Sequence, residues 1–251
     1  MSSRLVEIKS LGKMPFNEAW QLQREIFDLV RHEHVPDTIL TVEHPHTYTL
    51  GKSSHRDHLL WPPSELLKKG IEVYEIDRGG DITYHGPGQF VAYPILNMNH
   101  FYHDVHRYLR DLEEVVIRLL GDYGIDATRK QHPDPRKNYT GVWVGERKIC
   151  AIGVRFSHWT TMHGLALNVS TDLAYYHGIV PCGIRDKELT SIKNLLKKEC
   201  SISDVEANFI AHFEAVFGVK ISYDKSPVKG AISMQSKITH INGVDRLPNF
   251  S

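Results

Sequence analysis

The chain has 251 residues, enough for one large domain or one domain with small extensions. Its 30 basic residues balance its 30 acidic ones, so its charge gives no general preference for nucleic acid or for an anionic membrane. The apolar fraction is ordinary for a soluble globular protein, and no apolar run in the sequence is long enough to span a bilayer.

The first residues and the cysteines indicate a reducing compartment. Residues 1–13 lack the apolar core of a secretion signal, and three cysteines, an odd number, do not suggest a disulfide framework. We therefore expect a cytoplasmic protein whose thiols are available for chemistry.

Sixteen histidines raise the question of a metal site. They are scattered, although His103 and His106 stand three residues apart at a predicted helix start, a spacing that metal sites use. Neither an HExxH nor a CxxC motif accompanies them, and a zinc site needs three or four convergent ligands. The sequence therefore favours solvated or structural histidines and predicts no metal.

Apolar periodicity and turn residues predict interspersed helices and strands in the first half of the chain. Asn17 is placed to cap a helix that ends near Arg31, and Asp104 to cap the longest helix. The apolar face of that longest helix consists of Leu109, Leu112, Val116, Leu119 and Leu120. The other predicted elements are a strand over 38–43 that ends at the His44-Pro45 step, a short helix over 64–69, and strands over 72–77 and 90–96.

Consecutive strands dominate the second half. Residues 128–139 are polar and contain two prolines, which predicts a loop. The elements that follow are strands over 141–144, 148–156 and 161–169 with a hairpin turn at 145–147, a helix from a capping box of Ser203 and Glu206 to Phe217, and a strand over 219–223. Because several strands are consecutive, the sequence predicts an α/β protein with a mixed sheet and packed helices.

The run from Arg78 to Gln89 carries four glycines, a proline, an arginine and a histidine between two predicted strands. Glycine serves where the backbone turns with positive φ or lies close against a ligand. A bulged turn with incidental polar residues is the simpler alternative, but the length and mixture of the run favour the wall of a site. A phosphate loop is not indicated, because the chain re-enters a strand and not a helix.

The three cysteines differ in their surroundings. Cys200 lies in a polar region and suggests no special role. Cys150 would share a strand face with Lys148, but a free cysteine is more often a buried core residue. Cys182 stands between a proline and a glycine, in a sharp loop that would expose backbone N–H groups to a developing oxyanion. Local sequence leaves open whether Cys182 is a nucleophile or a partly buried loop residue.

Lys148 lies where its predicted strand enters the core. Burial lowers the pKa of a lysine, and a neighbouring cation lowers the pKa of a thiol, so a Lys–Cys pair could exchange a proton near neutrality. A lysine that snorkels from a strand end into solvent is the alternative.

Five segments together resemble the lipoyl(octanoyl) transferases. They are 78–89, with the motif RGGxxTYHGPGQ, and 141–144, 148–155, 164–168 and 181–184. The resemblance runs from about Leu5 to Tyr223 in matching order, and the combination is specific although no single segment is. It implies a catalytic domain over 1–225 with the α/β fold of the biotin and lipoate protein ligases. Residues 226–251 are left as a C-terminal extension of unknown role.

The implied reaction moves an octanoyl group from octanoyl-acyl carrier protein to a lysine of a lipoyl domain, in a 2-oxoacid dehydrogenase E2 subunit or in the glycine-cleavage H protein. Carried over by position, Cys182 is the acyl-thioester nucleophile. Lys148 lowers the pKa of its thiol and accepts the proton of the acceptor amine, with His85 as a second candidate for that proton. The residues implied to line the acyl pocket are Arg78, Gly79, Gly80, Asp81, Ile82, Thr83, Tyr84, His85, Ala151, Ile152, Gly153, Gly164, Leu165 and Ala166.

Because the donor is already a thioester, no ATP, metal or other cofactor is expected. The nearest alternative is an ATP-dependent lipoate or biotin ligase, which needs a phosphate-binding loop and no cysteine nucleophile. A non-catalytic protein that binds acyl groups or lipoyl domains would need neither Lys148 nor Cys182. The segment 128–139 and the tail beyond Lys225 depart from the family pattern, and neither contains a residue carried over from it.

Overall fold

The computed structural model describes residues 4–130, 139–180 and 188–223. Cys182, most of the predicted loop over 128–139 and the predicted extension over 226–251 lie outside the described residues.

Strands and helices are interspersed along the described chain. In chain order they are β1 (Arg4–Lys13), α1 (Phe16–Arg31), β2 (Asp37–Glu43), β3 (Thr47–Leu50), α2 (Pro63–Lys68), β4 (Glu72–Glu75), β5 (Ile82–His85), β6 (Gln89–Ile95), α3 (Val105–Asp122), β7 (Gly141–Val144), β8 (Arg147–Ser157), β9 (Thr160–Asn168), α4 (Ile192–Leu196), α5 (Ile202–Phe217) and β10 (Val219–Tyr223). None of the described helices is long and apolar enough to span a membrane.

The strands form two sheets. The large sheet has the order β10-β1-β2-β6-β9-β8-β7, in which β1 is parallel to both of its neighbours and all other neighbours are antiparallel. The small sheet has the order β4-β3-β5, with β3 parallel to β4 and antiparallel to β5. The predicted mixed sheet is confirmed, and the hairpin between β7 and β8 lies where the sequence placed it.

The large sheet separates two hydrophobic cores, as the alternation along β6 shows. Phe90 and Ala92 face one core, where residues of α3 and α5 pack against the sheet. Val91 and Tyr93 face the other core, which α1 covers with Ile26, Phe27 and Val30. The small sheet has its own cluster, which includes Tyr48, Leu50, Ile82 and Tyr84. A cavity lies on the α1 face of the large sheet, and the candidate site is built there.

Two predicted helix starts are wrong. Helix α1 begins at Phe16 behind Pro15, and no side chain caps it. Asn17 lies inside the first turn, and Pro15 occupies the N-cap position with an extended ψ of 145°. Ser201, not Ser203, caps α5, and its hydroxyl accepts the N–H of Ser203. Glu206 does not complete the predicted capping box. Its carboxylate instead accepts hydrogen bonds from the hydroxyls of Ser10 and Thr41, which are distant in the chain.

Other differences concern short or half-exposed segments. Strand β1 was not predicted, because only Val6 and Ile8 of its ten residues are buried. Strand β3 was not predicted because it has four residues and follows the His44-Pro45 step almost directly. The cap of α3 by Asp104 is confirmed, but Leu109 of its predicted apolar face is only partly buried.

Candidate active site

A cavity lies between the α1 face of the large sheet and the segment 78–85. It holds about 530 Å³ of empty space, part of it open to solvent. The residues that sequence placed at the site and that line this cavity are Arg78, Gly79, Gly80, Asp81, Ile82, Thr83, His85, Lys148, Ala151, Ile152, Gly153, Gly164, Leu165 and Ala166. Three segments of the chain, 78–85, 148–153 and 164–166, therefore converge on one place.

Tyr84 is the member of the predicted set that does not line the cavity. Side chains alternate along β5, so Tyr84 faces the opposite side of the small sheet from Thr83 and His85. There its ring stacks on Tyr175 at 5.4 Å, and its hydroxyl bonds to His46 Nδ1 at 2.8 Å. Its role is to pack the small sheet.

The floor of the cavity is a patch of four small residues on β8 and β9. Ala151 pairs with Ala166, and Gly153 pairs with Gly164. A Cβ on Gly153 would lie 3.0 Å from Cδ of Arg78, so this glycine lets the arginine stem cross the strand. A Cβ on Gly164 would lie 2.1 Å from the carbonyl oxygen of Ala92, so this glycine is required by the approach of β6. Both glycines are therefore explained by contacts within the protein, without reference to a ligand.

Arg78 holds the opposite wall in place. The residue is 7% exposed, and its Nη2 donates to the carbonyl oxygen of Thr49 at 2.6 Å and to its hydroxyl at 3.0 Å. The N–H of Gly79 donates to the carbonyl oxygen of Val154 at 2.9 Å, which docks the wall on β8. Hydrogen bonds to a charged donor are among the stronger ones, so the wall is rigid.

The chain on one side of the segment 181–187 is anchored at the cavity through Asp81. Its Oδ2 lies 2.6 Å from Nδ1 of His58. The N–H of Val180 in turn donates to the carbonyl oxygen of His58 at 2.8 Å. Asp81 lines the cavity, so the last described residue before Cys182 is linked to the cavity wall.

The chain on the other side of that segment is anchored at Lys148. The N–H of Lys148 donates to the carbonyl oxygen of Glu188 at 2.9 Å, and the N–H of Thr190 donates to the carbonyl oxygen of Lys148 at 3.0 Å. The ammonium of Lys148 lies 5.3 Å from the centre of the Trp143 ring. Both ends of the segment that contains Cys182 are therefore held at the cavity.

A register shift in β8 separates Lys148 from Cys150. Lys148 pairs with Trp143 and Cys150 pairs with Val142, which leaves Ile149 without a partner in β7. Lys148 and Ala151 line the cavity, whereas Cys150 is fully buried in the core. The expected shared face of Lys148 and Cys150 is wrong for this reason. Cys150 is a core thiol, as favoured from sequence, and burial raises its pKa to about 12.

Comparisons with known proteins identify the family of the chain. The family model of the lipoyl protein ligase A/B catalytic domain matches residues 15–214. The chain belongs to this family. An octanoyltransferase from Christiangramia forsetii is 45% identical over 87% of this chain and 98% of its own length. One from Rubrobacter xylanophilus is 48% identical over 82% of this chain and 91% of its own.

Solved structures of the lipoyl protein ligase family share the fold. A crystal structure of lipoate-protein ligase A bound with ATP has a TM-score of 0.71 at 19% identity, and the match covers 89% of each chain. The family and the fold class inferred from sequence are thereby confirmed.

Glu113 is a buried residue of this family member that sequence reasoning missed. Its Oε1 accepts the N–H of Gly141 at 2.9 Å, and its Oε2 lies 2.7 Å from Arg110 and 3.3 Å from Arg129. Burial raises the pKa of Glu113 although these donors oppose the shift. A Cβ on Gly141 would lie 2.5 Å from Cε of Lys148, so Glu113 fixes the glycine over which the lysine stem passes. The sequence feature that could have indicated Glu113 is a charged residue on the apolar face of the longest predicted helix.

His85 was the second candidate for accepting a proton, and its surroundings oppose that role. Its Nδ1 lies 2.9 Å from Oε1 of Gln89, an acceptor, so Nδ1 carries the hydrogen. Burial, followed by the proximity of His44, holds the pKa of His85 well below its usual range. The ring is therefore neutral and has little tendency to take up a proton.

Four further lining residues were not predicted: Phe16, Ile76, Tyr93 and His163. Tyr93 lies in the predicted strand over 90–96, and Phe16 precedes the predicted helix cap at Asn17, but neither was predicted to line a site. His163 Nε2 lies 2.9 Å from Asp77, whose other oxygen lies 2.8 Å from Arg155. Asp77 precedes Arg78, so these two contacts tie the start of the wall to β8 and β9. Among the residues described, no three His, Cys, Asp or Glu side chains are grouped to hold a metal ion.

We expect acid to destabilise the protein through His44, which is 1% exposed. Burial lowers its pKa from 6.5 to about 4. As the pH falls from 6.5 to 4, His44 binds a proton in the unfolded chain but stays neutral in the folded one. The part of the free energy of unfolding that depends on His44 is therefore fully present above pH 6.5 and is lost toward pH 4. The loss is about 3 kcal/mol at about 1.4 kcal/mol per pKa unit.

Urea unfolding at pH 7 and at pH 4.5 measures this loss. His44→Phe should be less stable at pH 7, since it loses the bonds of the ring to Met14 and Tyr93, but should lose less on acidification. His55→Phe, at an exposed position, is the control and should lose as much free energy of unfolding between pH 7 and pH 4.5 as the unchanged protein. An equal loss in His44→Phe would show that His44 does not cause the acid sensitivity.

Proposed function

We propose that the protein transfers an octanoyl group from octanoyl-acyl carrier protein to the target lysine of lipoyl domains, through a thioester on Cys182 and without ATP or a metal. Octanoyl transfer in protein lipoylation rests on the curated octanoyltransferases, which are 42–48% identical to most of this chain. The observation that supports the mechanism is the anchoring of both ends of the segment 181–187 at one cavity, with Lys148 at the second anchor.

The described residues on either side of Cys182 support its place at this site. Val180 is two residues before it, and two residues span at most about 7 Å. The carbonyl oxygen of Glu188, six residues after it, is bonded to the N–H of Lys148. We propose that the Cys182 thiol attacks a carbonyl carbon whose acyl chain lies in the cavity.

The cavity suits an acyl chain better than a phosphate. Its floor consists of Ala151, Gly153, Gly164 and Ala166, which offer a smooth apolar surface. The guanidinium of Arg78 donates to Thr49 and Gly79 in the wall. The segment 78–85 leads from β4 into strand β5, so no helix N-terminus points at the cavity from it.

The first step forms the acyl-enzyme. Lys148 takes the proton of the Cys182 thiol, and the resulting ammonium stabilises the thiolate. The thiolate sulfur attacks the thioester carbonyl carbon of the donor, a new carbon–sulfur bond forms, and the bond to the donor thiol breaks. The ammonium of Lys148 returns its proton to the departing thiolate.

The second step makes the amide. The amine of the acceptor lysine attacks the acyl carbon, the bond to Cys182 breaks, and the cysteine leaves as a thiolate. Lys148 accepts the proton that the amine loses on forming the amide. Because the acyl group stays activated as a thioester throughout, neither step needs ATP or a metal.

The acceptors are lipoyl domains, and we propose those of 2-oxoacid dehydrogenase E2 subunits and of the glycine-cleavage H protein. The donor arm is the phosphopantetheine thiol of acyl carrier protein. The balanced charge supports a protein that acts without nucleic acid or membrane. We propose that it acts in the cytoplasm. An ATP-dependent ligase is the second candidate, but the ATP-bound ligase structure shares only 19% identity and so supports the fold alone.

Incubation with octanoyl-acyl carrier protein, without ATP and without acceptor, tests the proposal. We expect the intact mass to rise by one octanoyl group, and peptide mapping to place it on Cys182. Hydroxylamine, which cleaves thioesters, should remove it. Label on Cys150, or label only when ATP is present, would exclude the mechanism.

A further inference from the structure

Two aromatic rings close the cavity at the corner opposite Lys148. Lys148 lies on β8 and Tyr93 on β6, with β9 between them. Neighbouring strands lie about 4.8 Å apart, so Tyr93 is roughly 10 Å from β8 across the sheet. Phe16, the first residue of α1, stands with Tyr93 in the lining and is 1% exposed.

The two corners are also separated along the strands. Tyr93 follows Ala92, which pairs with Leu165, so Tyr93 stands level with Gly164. Gly164 pairs with Gly153, five residues beyond Lys148 on β8. The floor patch of small residues therefore lies between Lys148 and the aromatic corner. A chain that enters beside Lys148 must cross this patch before it meets Tyr93.

The path from Lys148 to Tyr93 runs diagonally over the floor patch. The two backbones are separated by roughly 10 Å across the sheet and by roughly 15 Å along β8, and the side chains of both residues shorten the space between them. An extended octanoyl group is roughly 9 Å long, since it has seven carbon–carbon bonds of about 1.5 Å at tetrahedral angles. A chain that starts within reach of the Lys148 ammonium and crosses the patch runs toward Tyr93, and each further methylene brings its end closer to the ring.

The aromatic corner is held rigidly. The Tyr93 hydroxyl donates to Nε2 of His44 at 2.8 Å, while Nδ1 of His44 donates to the carbonyl oxygen of Met14 at 2.7 Å. The ring of Phe16 lies 5.4 Å from that of His44 and 6.0 Å from that of His85. Moving Tyr93 aside would break a buried hydrogen bond, so the corner does not yield easily to a longer chain.

We propose that Tyr93 and Phe16 form the end wall that sets the longest acyl chain the enzyme accepts. This inference rests on the proposed octanoyl transfer and adds the determinant of its chain length. The floor residues Ala151, Gly153, Gly164 and Ala166 let the chain pass, and the two rings stop it. A shorter chain leaves the rings without contact, and a longer one collides with them.

The test is a competition among acyl carrier proteins loaded with hexanoyl, octanoyl, decanoyl and dodecanoyl groups, with a lipoyl domain as acceptor. Tyr93→Leu should raise the decanoyl-to-octanoyl ratio of kcat/KM by roughly tenfold or more, since refusal of one methylene by an apolar pocket amounts to about 10–200-fold. Phe90→Leu is the matched control, because Phe90 is an equally buried ring on the opposite face of β6. It should leave the ratio within twofold of the unchanged protein.

The outcomes separate the wall from the reaction. If Tyr93→Leu transfers octanoyl groups with an unchanged ratio, the end wall is overturned while the octanoyl transfer stands. If the unchanged protein transfers none of the four acyl groups, the proposed function fails first. Should Tyr93→Leu melt below the assay temperature, Phe16→Leu opens the same corner, and an unchanged ratio there overturns the wall equally.

Discussion

Replacing Lys148 with methionine is expected to lower kcat/KM for octanoyl transfer by about 10³-fold, within the roughly 10²–10⁴-fold that general acid–base catalysis contributes. Methionine keeps an unbranched stem over Gly141 and beside the Trp143 ring. It removes the group proposed to deprotonate both Cys182 and the acceptor amine. Steady-state rates at several pH values, with thermal melting as a check on folding, measure the effect.

Lys148→Arg divides the two roles of the lysine. Arginine keeps the positive charge that stabilises a thiolate, but it does not give up its proton and so cannot accept another. We expect this variant to accumulate octanoyl-enzyme and to pass the group on at least about 10²-fold more slowly. Methionine should slow both steps, which rapid quenching followed by mass measurement distinguishes.

Lys130→Met is the matched control for both variants. Lys130 lies 5.4 Å from the centre of the same Trp143 ring, is paired with Glu146, and is absent from the cavity lining. Its loss should leave both steps within about twofold, because its charge is paired outside the cavity lining. Equal losses in Lys130→Met and Lys148→Met would assign the effect to the Trp143 ring and remove Lys148 from the mechanism.

Most of the cavity could be predicted because its parts are local motifs. The segment 78–85 and the strands β8 and β9 carry glycines and small residues whose spacing is visible in sequence, and the structure brings them to one cavity. The mixed sheet followed from consecutive strands. The two floor glycines show the limit of this reasoning. The Cβ positions they leave open are occupied by Arg78 and by the backbone of β6, and contacts between distant segments leave no local signal.

Three features of the site could not be read from the sequence for the same reason. The register shift that leaves Ile149 unpaired depends on how β7 pairs with β8. Because of this shift, Ala151 and not Cys150 lies in the cavity with Lys148. Glu113 stands out only as a polar interruption of a helix face until its bond to Gly141 is seen. The Tyr93 ring looks like an ordinary core residue until His44 and α1 place it at the end of the cavity.

Cys182→Ala is expected to abolish octanoyl transfer, with a fall of at least about 10⁴-fold, as for the loss of a nucleophile in other enzymes that form covalent intermediates. No acyl-enzyme should form, because the thiol that attacks the donor is gone. Folding should be retained, since the chain on either side is held by backbone bonds of Val180 and Glu188. Mass measurement after mixing with octanoyl-acyl carrier protein, together with a thermal melt, tests both expectations.

The other two cysteines serve as controls because the structure gives them different surroundings. Cys200 is a half-buried thiol, and Cys200→Ser should transfer at the normal rate. Cys150 is fully buried, so Cys150→Ala should cost stability but leave the formation of the acyl-enzyme intact. Steady-state rates should give the parallel lines of a ping-pong reaction, because the donor leaves before the acceptor is acylated. Intersecting lines with retained turnover in Cys182→Ala would mean that the amine attacks the donor thioester directly, with Lys148 as its base and the cavity as a holder of the acyl chain.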